Sequence, residues 1–586
     1  MPLIEFQNVT FTYMHKKEPA IKNINLTIDE GEFVALLGPL GSGKTTLLYC
    51  LNGIIPHELP GKLEGNVIVD GKNTKEHFIA EMVSSVGLVL DDPTVQIFNL
   101  TVKDDIEFGP INLGIPLDEV EERVKYALEV TRLKGLEPRH PKELSGGQQQ
   151  ELAIAGVLAM RPKVLALDEP ISMLDPIGKN MVLQAIKELN QKYGVACIIS
   201  ESGADLEDIM NIVNRVIVMD RGQILVDGEP KLAVKDGLLS EIGVGLPQVS
   251  ELFLKLKNYN CNIDIPASFD EAVKLLREYV RKGIIKVKPR ERVSKHSPKK
   301  EVDSKILVRA ENIDFVYPNG VKALEGVSFT VREGELLALI GQNGSGKSTL
   351  SLCLVGVYKP TNKNAKIEVL GSDIIKSDTR DIVTKINYVF QNPNNMLFSK
   401  DVIEEVSFGL KMFDYPPKEI NKIVNETLEM LGLNEYGKML IIDLPHFLRT
   451  LVGIASVLTL KPKVLIIDEP TGGLDRKDSI KLISLLNELK LKGITSVIIT
   501  HDMKLVSEFA DRIVVMSNGK VLIEGPPEKV FTSKAVLEEA SLKPPQISQL
   551  AQALVDLGFD PEIVKIEEFL QQVDVRQEGG NNASMV

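Results

Sequence analysis

An α/β fold built twice over is what this 586-residue sequence predicts, and three observations carry that expectation. A glycine-rich loop, G-P-L-G-S-G-K-T, occupies residues 38–45, and a second, G-Q-N-G-S-G-K-S, occupies residues 341–348. Apolar stretches at 32–37 and 335–340 read as short buried strands entering each loop, and a helix-compatible run follows each lysine. Lys44 and Lys347 are about 300 residues apart, as are the acidic pairs Asp168-Glu169 and Asp468-Glu469, so the chain is two homologous halves rather than a short-period solenoid.

Each loop fits G-x-x-x-x-G-K-[ST], the pattern of a phosphate cradle. Gly38, Gly41 and Gly43, with Ser42, let backbone N–H groups close around an anion; Gly341, Gly344 and Gly346, with Asn343 and Ser345, do the same in the second half. Lys44 and Lys347 are suited to neutralise β- and γ-phosphates, and the hydroxyls of Thr45 and Ser348 to reach Mg²⁺. Thr46 and Thr349 follow at the start of each helix and complete the expected nucleotide-binding sets. One chance match in a chain of this length is on the order of a few per cent. Two in corresponding contexts are not chance, so both loops are expected to hold nucleotide, with strand, turn and helix N-terminus forming the anion site.

Taken in order, residues 1–236 form the first domain, which opens on strand-like segments at Ile4–Val9 and Ile24–Ile28. Residues 237–285 read as a small helical appendage, with amphipathic stretches beginning at Leu246-Pro247-Gln248-Val249-Ser250 and at Phe269. The lysine- and arginine-rich stretch 286–304 has no apolar periodicity and reads as a linker, either solvated or drawn to anionic lipid headgroups. Residues 305–537 repeat the first domain, and 538–572 form a second helical appendage in which Leu550, Leu554 and Leu557 recur at helical spacing. Both appendages fit helices packed on their own domain, and equally contacts between the two. Residues 573–586 read as a disordered tail.

A net charge of −13 and a pI near 5.3 argue against nucleic acid as the main ligand, because phosphate backbones demand a basic surface. Cys50, Cys197, Cys261 and Cys353 lack metal-like spacing and fit packed thiols in a reducing compartment. No apolar run is long enough to span a bilayer, and the first residues lack the features of a secretory leader. The expected protein is soluble and intracellular, and any membrane work would need spanning helices from another subunit.

Further along, Leu144-Ser145-Gly146-Gly147-Gln148 precedes the strand-like Val164–Leu167, the acids Asp168-Glu169 and the loop Ser172–Asp175. In this order after a phosphate loop, these motifs resemble the ATP-binding-cassette ATPases, over both halves apart from the appendages and linker. The resemblance implies two P-loop ATPase domains, each with a RecA-like core, a β-subdomain and a helical subdomain inserted at about 92–160 and 392–460. It also implies MgATP, with Asp168 and Asp468 helping to hold the metal and Glu169 and Glu469 polarising the attacking water. Tyr13 and Tyr317 occupy the positions where the family stacks adenine on an aromatic ring. The family pairs its cassettes head to tail, each ATP lying between the loops of one and the L-S-G-G-Q segment of the other. Here both partners would come from one chain.

The two halves are unequally equipped. At the distance before Asp468 that Leu144–Gln148 keeps from Asp168, the second half has Leu444-Pro445-His446-Phe447-Leu448. Proline removes an N–H, and His446 and Phe447 add bulk where glycines permit close approach. By the same registration Gln391 corresponds to Asp91, and the family's switch histidine, present as His501, is replaced by Glu201. The resemblance therefore implies one intact composite site, made of Lys347, Ser348, Gln391, Asp468, Glu469 and His501 with Ser145, Gly146, Gly147 and Gln148. The other combines the first loop, Asp91 and Glu201 with the broken signature; Glu169 alone departs from that pattern of defects and leaves room for slow turnover.

Phe390-Gln391-Asn392-Pro393 through Phe398, its counterpart Asp92–Phe98 and the Pro-Gln-Val/Ile-Ser starts of both appendages resemble the ATPases of energy-coupling-factor and cobalt/nickel transporters. That narrower resemblance implies a fused ATPase pair at the cytoplasmic face of the membrane, receiving helices of integral membrane subunits near Phe98 and Phe398. Other importer ATPases, and soluble cassette proteins acting on ribosomes or nucleic acid, are the alternatives. The latter predict basic inserts, which the sequence lacks.

Overall fold

A computed structural model describes residues 2–144, 146–172, 174–259, 263–288, 305–576 and 582–583. Most of the linker and tail, together with Ser145 and Cys261, lie outside the described residues. The chain divides into two compact units, one of residues 1–286 with 574–586, the other of residues 287–573.

In the first unit a six-stranded sheet runs in the order Gln223–Gly228, Arg215–Asp220, Phe33–Leu37, Ala196–Glu201, Val164–Leu167, Val86–Val89. All pairs are parallel except the edge hairpin Arg215–Asp220 with Gln223–Gly228. Phe33–Leu37 and Val164–Leu167 are buried throughout, so both read as unbroken apolar runs, the pattern of parallel strands covered on two faces. A four-stranded antiparallel sheet, Ile21–Ile28, Ile4–Tyr13, Gly61–Val69 and Lys72–Asn73, packs against this core through Ile4, Phe6, Phe11 and Ile28. Three helices, Val102–Asn112, Leu117–Val130 and Gly146–Met160, enclose a separate apolar cluster around Ile106, Val124 and Leu152.

The second unit repeats the plan. Its six strands run Ile386–Val389, Val464–Asp468, Thr495–Ile499, Leu336–Ile340, Arg512–Ser517, Lys520–Gly525, and its antiparallel sheet is built on Ile306–Val316 and Lys322–Arg332. Val402–Met412, Pro417–Met430 and His446–Leu458 supply the helical part. Open α/β sheets gather ligands where the parallel strands end, and here those ends lead into the glycine loops.

Each appendage packs on its own unit. Leu246 and Ala267 join the core of the first unit, and the Gln248 N–H donates to Glu207 Oε1 at 3.0 Å. Val564 joins the core of the second, where the Lys565 ammonium donates to the Glu508 carbonyl at 3.0 Å. Val573–Arg576 is a strand where the sequence reading places a disordered tail. Val573 and Val575 are buried, and Val575 pairs with Ala583, so alternate apolar residues too few to register as a pattern still anchor the segment.

Candidate functional site

Each glycine loop leaves a central strand and enters a helix, Lys44–Leu51 in one unit and Lys347–Leu354 in the other. Glycine is required at the turn. A Cβ on Gly38 would lie 2.4 Å from the Met219 carbonyl oxygen, and one on Gly341 2.2 Å from that of Met516. Gly43 and Gly346 adopt φ of 105° and 101°, which L side chains rarely occupy, and head their helices. The loop thereby turns successive N–H groups toward one point, the geometry that accepts phosphate.

Both lysines are held inside this turn. Lys44 Nζ donates to the carbonyls of Gly38 at 2.6 Å and Pro39 at 3.2 Å; Lys347 Nζ donates to those of Gly341 at 2.8 Å and Gln342 at 3.0 Å. Tyr13 and Tyr317 are half-buried, their hydroxyls 3.0 Å from Thr46 Oγ1 and 2.9 Å from Thr349 Oγ1.

Beyond the lysines the two sites diverge. In the second unit Asp468 Oδ2 accepts from the Ser348 hydroxyl at 2.7 Å and from the Tyr388 hydroxyl at 2.5 Å. These hard oxygen donors at the loop exit fit Mg²⁺. Gln391 is exposed beyond this pair. Glu469 has φ of 43°, a strained left-handed conformation, and its Oε1 lies 2.9 Å from His501 Nε2. Burial pushes the Glu469 carboxyl up, but His501 and Lys347 outweigh it and hold the group below the ordinary glutamate value.

In the first unit Asp168 Oδ1 accepts instead from Ser200 Oγ at 2.5 Å, and that hydroxyl also accepts the Glu169 N–H at 3.0 Å. Among the described residues Asp168 Oδ2 is buried without a hydrogen-bond partner, an orphaned acceptor of the kind a bound cation would satisfy. Glu169 is strained like Glu469, with φ of 47°, and lies 3.9 Å from Lys44. Its other neighbour is not imidazole but the Glu201 carboxylate. Parallel pairing of Leu37 with Glu201 sets position 201 beside the phosphate loop, and Glu201 Oε1 accepts the N–H groups of Gly203 at 2.6 Å and Asp205 at 3.1 Å. Burial and Glu201 push Glu169 well above the usual carboxylate range, while burial and Asp205 push Glu201 up to about 7. Asp91, beside the same cleft, is raised by desolvation and by Asp168.

A stability prediction follows from Glu201. A carboxyl with raised folded-state pKa binds its proton more tightly folded than unfolded, so stability is lost as pH rises from the unfolded value of about 4.3 toward 7. Glu201→Gln keeps the acceptor oxygen and removes the charge. It is expected to raise the unfolding midpoint of the nucleotide-free protein at pH 7.5, worth about 1–3 kcal/mol, and to leave it unchanged at pH 4. Thermal melts at both pH values check this.

The signature positions also differ. Gly146, Gly147 and Gln148 open the helix Gly146–Met160, whereas Pro445 precedes the helix His446–Leu458. His446 folds back within its own unit, Nε2 donating to the Gly472 carbonyl at 3.1 Å, and burial lowers its pKa so that the ring stays neutral. Phe447 packs against the core with the Lys481 ammonium 5.5 Å from its ring centre.

Ser200 and Tyr388 escaped sequence reasoning. Tyr388 stands three residues before Gln391 on the strand Ile386–Val389, where the first half has Leu88, and that difference was the available signal.

The ABC transporter family profile matches residues 21–172 and 324–472. A Methanosarcina mazei protein named for an ABC transporter ATP-binding role is 37% identical over 580 residues, covering 97% of this chain and 96% of its own. A similarly named Caldanaerobacter subterraneus protein is 37% identical over 550 residues, covering 94% and 95%. Among solved structures, the chain is similar to cbiO1 of Clostridium perfringens, described as part of the ABC transporter complex cbiONQ, at 35% identity and a TM-score of 0.38, covering 42% of this chain and 99% of that one.

Proposed function

Since the chain belongs to the ABC transporter family of ATP-hydrolysing proteins, acting on ATP with Mg²⁺, we propose that it is the fused ATPase pair of a membrane importer of the energy-coupling-factor type, peripheral at the cytoplasmic face and serving a vitamin or transition-metal ion. In this reading the second cassette hydrolyses ATP with the signature of the first, and the first binds a second ATP with little turnover.

The carrying observation is the contrast between the two acid pairs. At the hydrolytic site the Glu469 carboxylate accepts a proton from water as the water oxygen attacks the γ-phosphorus and the bond to the β-γ bridging oxygen breaks. His501, 2.9 Å away, keeps that carboxylate ionised and aimed. Lys347, close to its own loop carbonyls, would supply positive charge to the β- and γ-phosphates, and Ser348 and Asp468 would hold the metal. Bound Mg²⁺ neutralises charge on the transferring phosphoryl group. At the first site burial and the facing Glu201 carboxylate raise the Glu169 pKa, the opposite of the shift at Glu469, which disfavours the ionised form that would take a proton from water.

Exposed aromatic patches on both helical parts support the membrane partner. Phe98 packs edge-on against Phe108 at 4.6 Å and Phe398 against Phe408 at 4.7 Å, yet Phe98 and Phe398 remain 62% and 65% exposed. Paired apolar patches of this kind mark interaction surfaces. Among the described residues no helix is long and apolar enough to cross a membrane, so the spanning segments belong to the partner in this reading. Phe98→Cys and Phe398→Cys are expected to crosslink to an integral membrane subunit in native membranes. Capture of ribosomal protein instead would favour the soluble alternative.

A further inference from the structure

Arg132 joins the helix carrying the intact signature to the loop that follows the Asp168-Glu169 pair. It sits at the end of the helix Leu117–Val130 with φ of 60°, a left-handed conformation that L side chains rarely adopt. Its Nη2 donates to Glu151 Oε1 at 2.7 Å and to Asp175 Oδ1 at 2.9 Å, and its Nε to Glu151 Oε1 at 3.3 Å. Glu151 and Asp175 are each 4% exposed. Glu151 lies one turn beyond Gly146–Gln148 on the helix Gly146–Met160. Asp175 closes the loop after Glu169 and caps the helix Pro176–Tyr193 through the Gly178 N–H at 2.7 Å. The guanidinium passes so near this cap that a Cβ on Gly178 would lie 2.6 Å from Nη2.

The second half shows what the fold does without this bridge. The position registered with Arg132 is Gly432, φ 66°; the one registered with Glu151 is Leu451, buried in the core; Asp475 caps its helix through the Asp478 N–H at 2.9 Å, and among the described residues no arginine bonds to it. Glycine and leucine therefore satisfy the fold at these positions, without left-handed strain on a side chain and without a buried ion cluster. The half that keeps the bridge is the half whose signature glycines are intact. The half that lacks it has Pro445 before the corresponding helix and His446-Phe447 at its start.

We infer that Arg132 is a positioning residue for ATP hydrolysis: by clamping Glu151 and Asp175 together it fixes the orientation of the signature segment relative to the loop after Glu169. The inference rests on the reading that the first cassette's signature serves the second cassette's ATP. A guanidinium with two carboxylate partners restrains both helix starts, and small misplacements of such segments cost rate more than binding.

The test gives the first half the second half's chemistry. Arg132→Gly with Glu151→Leu in the full chain is expected to keep the unfolding midpoint and the nucleotide-binding stoichiometry while lowering kcat about tenfold or more, with KM for ATP unchanged. Arg132→Lys, which retains the charge but not the two-armed geometry, is expected to lower kcat by a smaller factor and covers the case in which the paired variant does not fold. Wild-type kcat in either folded variant overturns the proposal, as does a loss expressed wholly in KM. Gly147→Asp serves as the control for the underlying reading. If that change leaves ATPase activity intact, the assignment of the signature fails; if it abolishes activity while the Arg132 variants remain fully active, the clamp alone fails.

Discussion

Glu469→Gln is expected to lower steady-state ATP hydrolysis by about 10²- to 10⁴-fold, the usual cost of losing a general base, while Glu169→Gln lowers it only a few-fold. The substitutions are chemically identical, so the difference lies in the surroundings. Glu469 faces an imidazole 2.9 Å away and is held ionised despite burial. Glu169 faces Glu201 and is pushed toward its protonated form, so replacing it with neutral glutamine changes little at neutral pH. Parallel ATPase assays on both variants decide the matter, with nucleotide titration confirming that each still binds ATP. Equal losses would show that the two sites fire in obligatory alternation and that no site is silent.

His501→Ala is expected to cost about 10²-fold or more in kcat by removing the partner that keeps Glu469 ionised and aimed. The variant has a second signature. In the wild type His501 and Lys347 hold the Glu469 carboxyl below the ordinary glutamate value, so the acid limb of kcat is expected at acid pH, well away from neutrality. Without His501 burial dominates, the Glu469 pKa rises, and the acid limb moves toward neutral pH. An unshifted acid limb in a folded His501→Ala enzyme would mean that Lys347 alone sets the ionisation. Glu201→His is not expected to restore turnover at the first site, because Pro445, His446 and Phe447 remain in place of the signature glycines and His446 is tied to Gly472.

Sequence by itself determined what consecutive residues encode. The two glycine loops, the acid pairs at strand ends and the contrast between Gly146-Gly147 and His446-Phe447 are written in runs of a few residues, because phosphate binding depends on local backbone shape. Apolar runs likewise marked the central strands to within a residue: 32–37 became Phe33–Leu37, and 335–340 became Leu336–Ile340. Tertiary structure alone decided which side chains meet these motifs. Ser200 reaches Asp168 from the neighbouring strand, Tyr388 reaches Asp468 from another, and Arg132 reaches Asp175 from the end of a helix. None of these partners is near in sequence, and serine, tyrosine or arginine in isolation signals nothing. The electrostatic difference between Glu169 and Glu469 belongs to the same class. Charge state depends on burial and on the nearest ionisable neighbour, both set by packing between distant strands, so the two glutamates of identical motifs acquire opposite pKa shifts only once Glu201 and His501 are folded beside them.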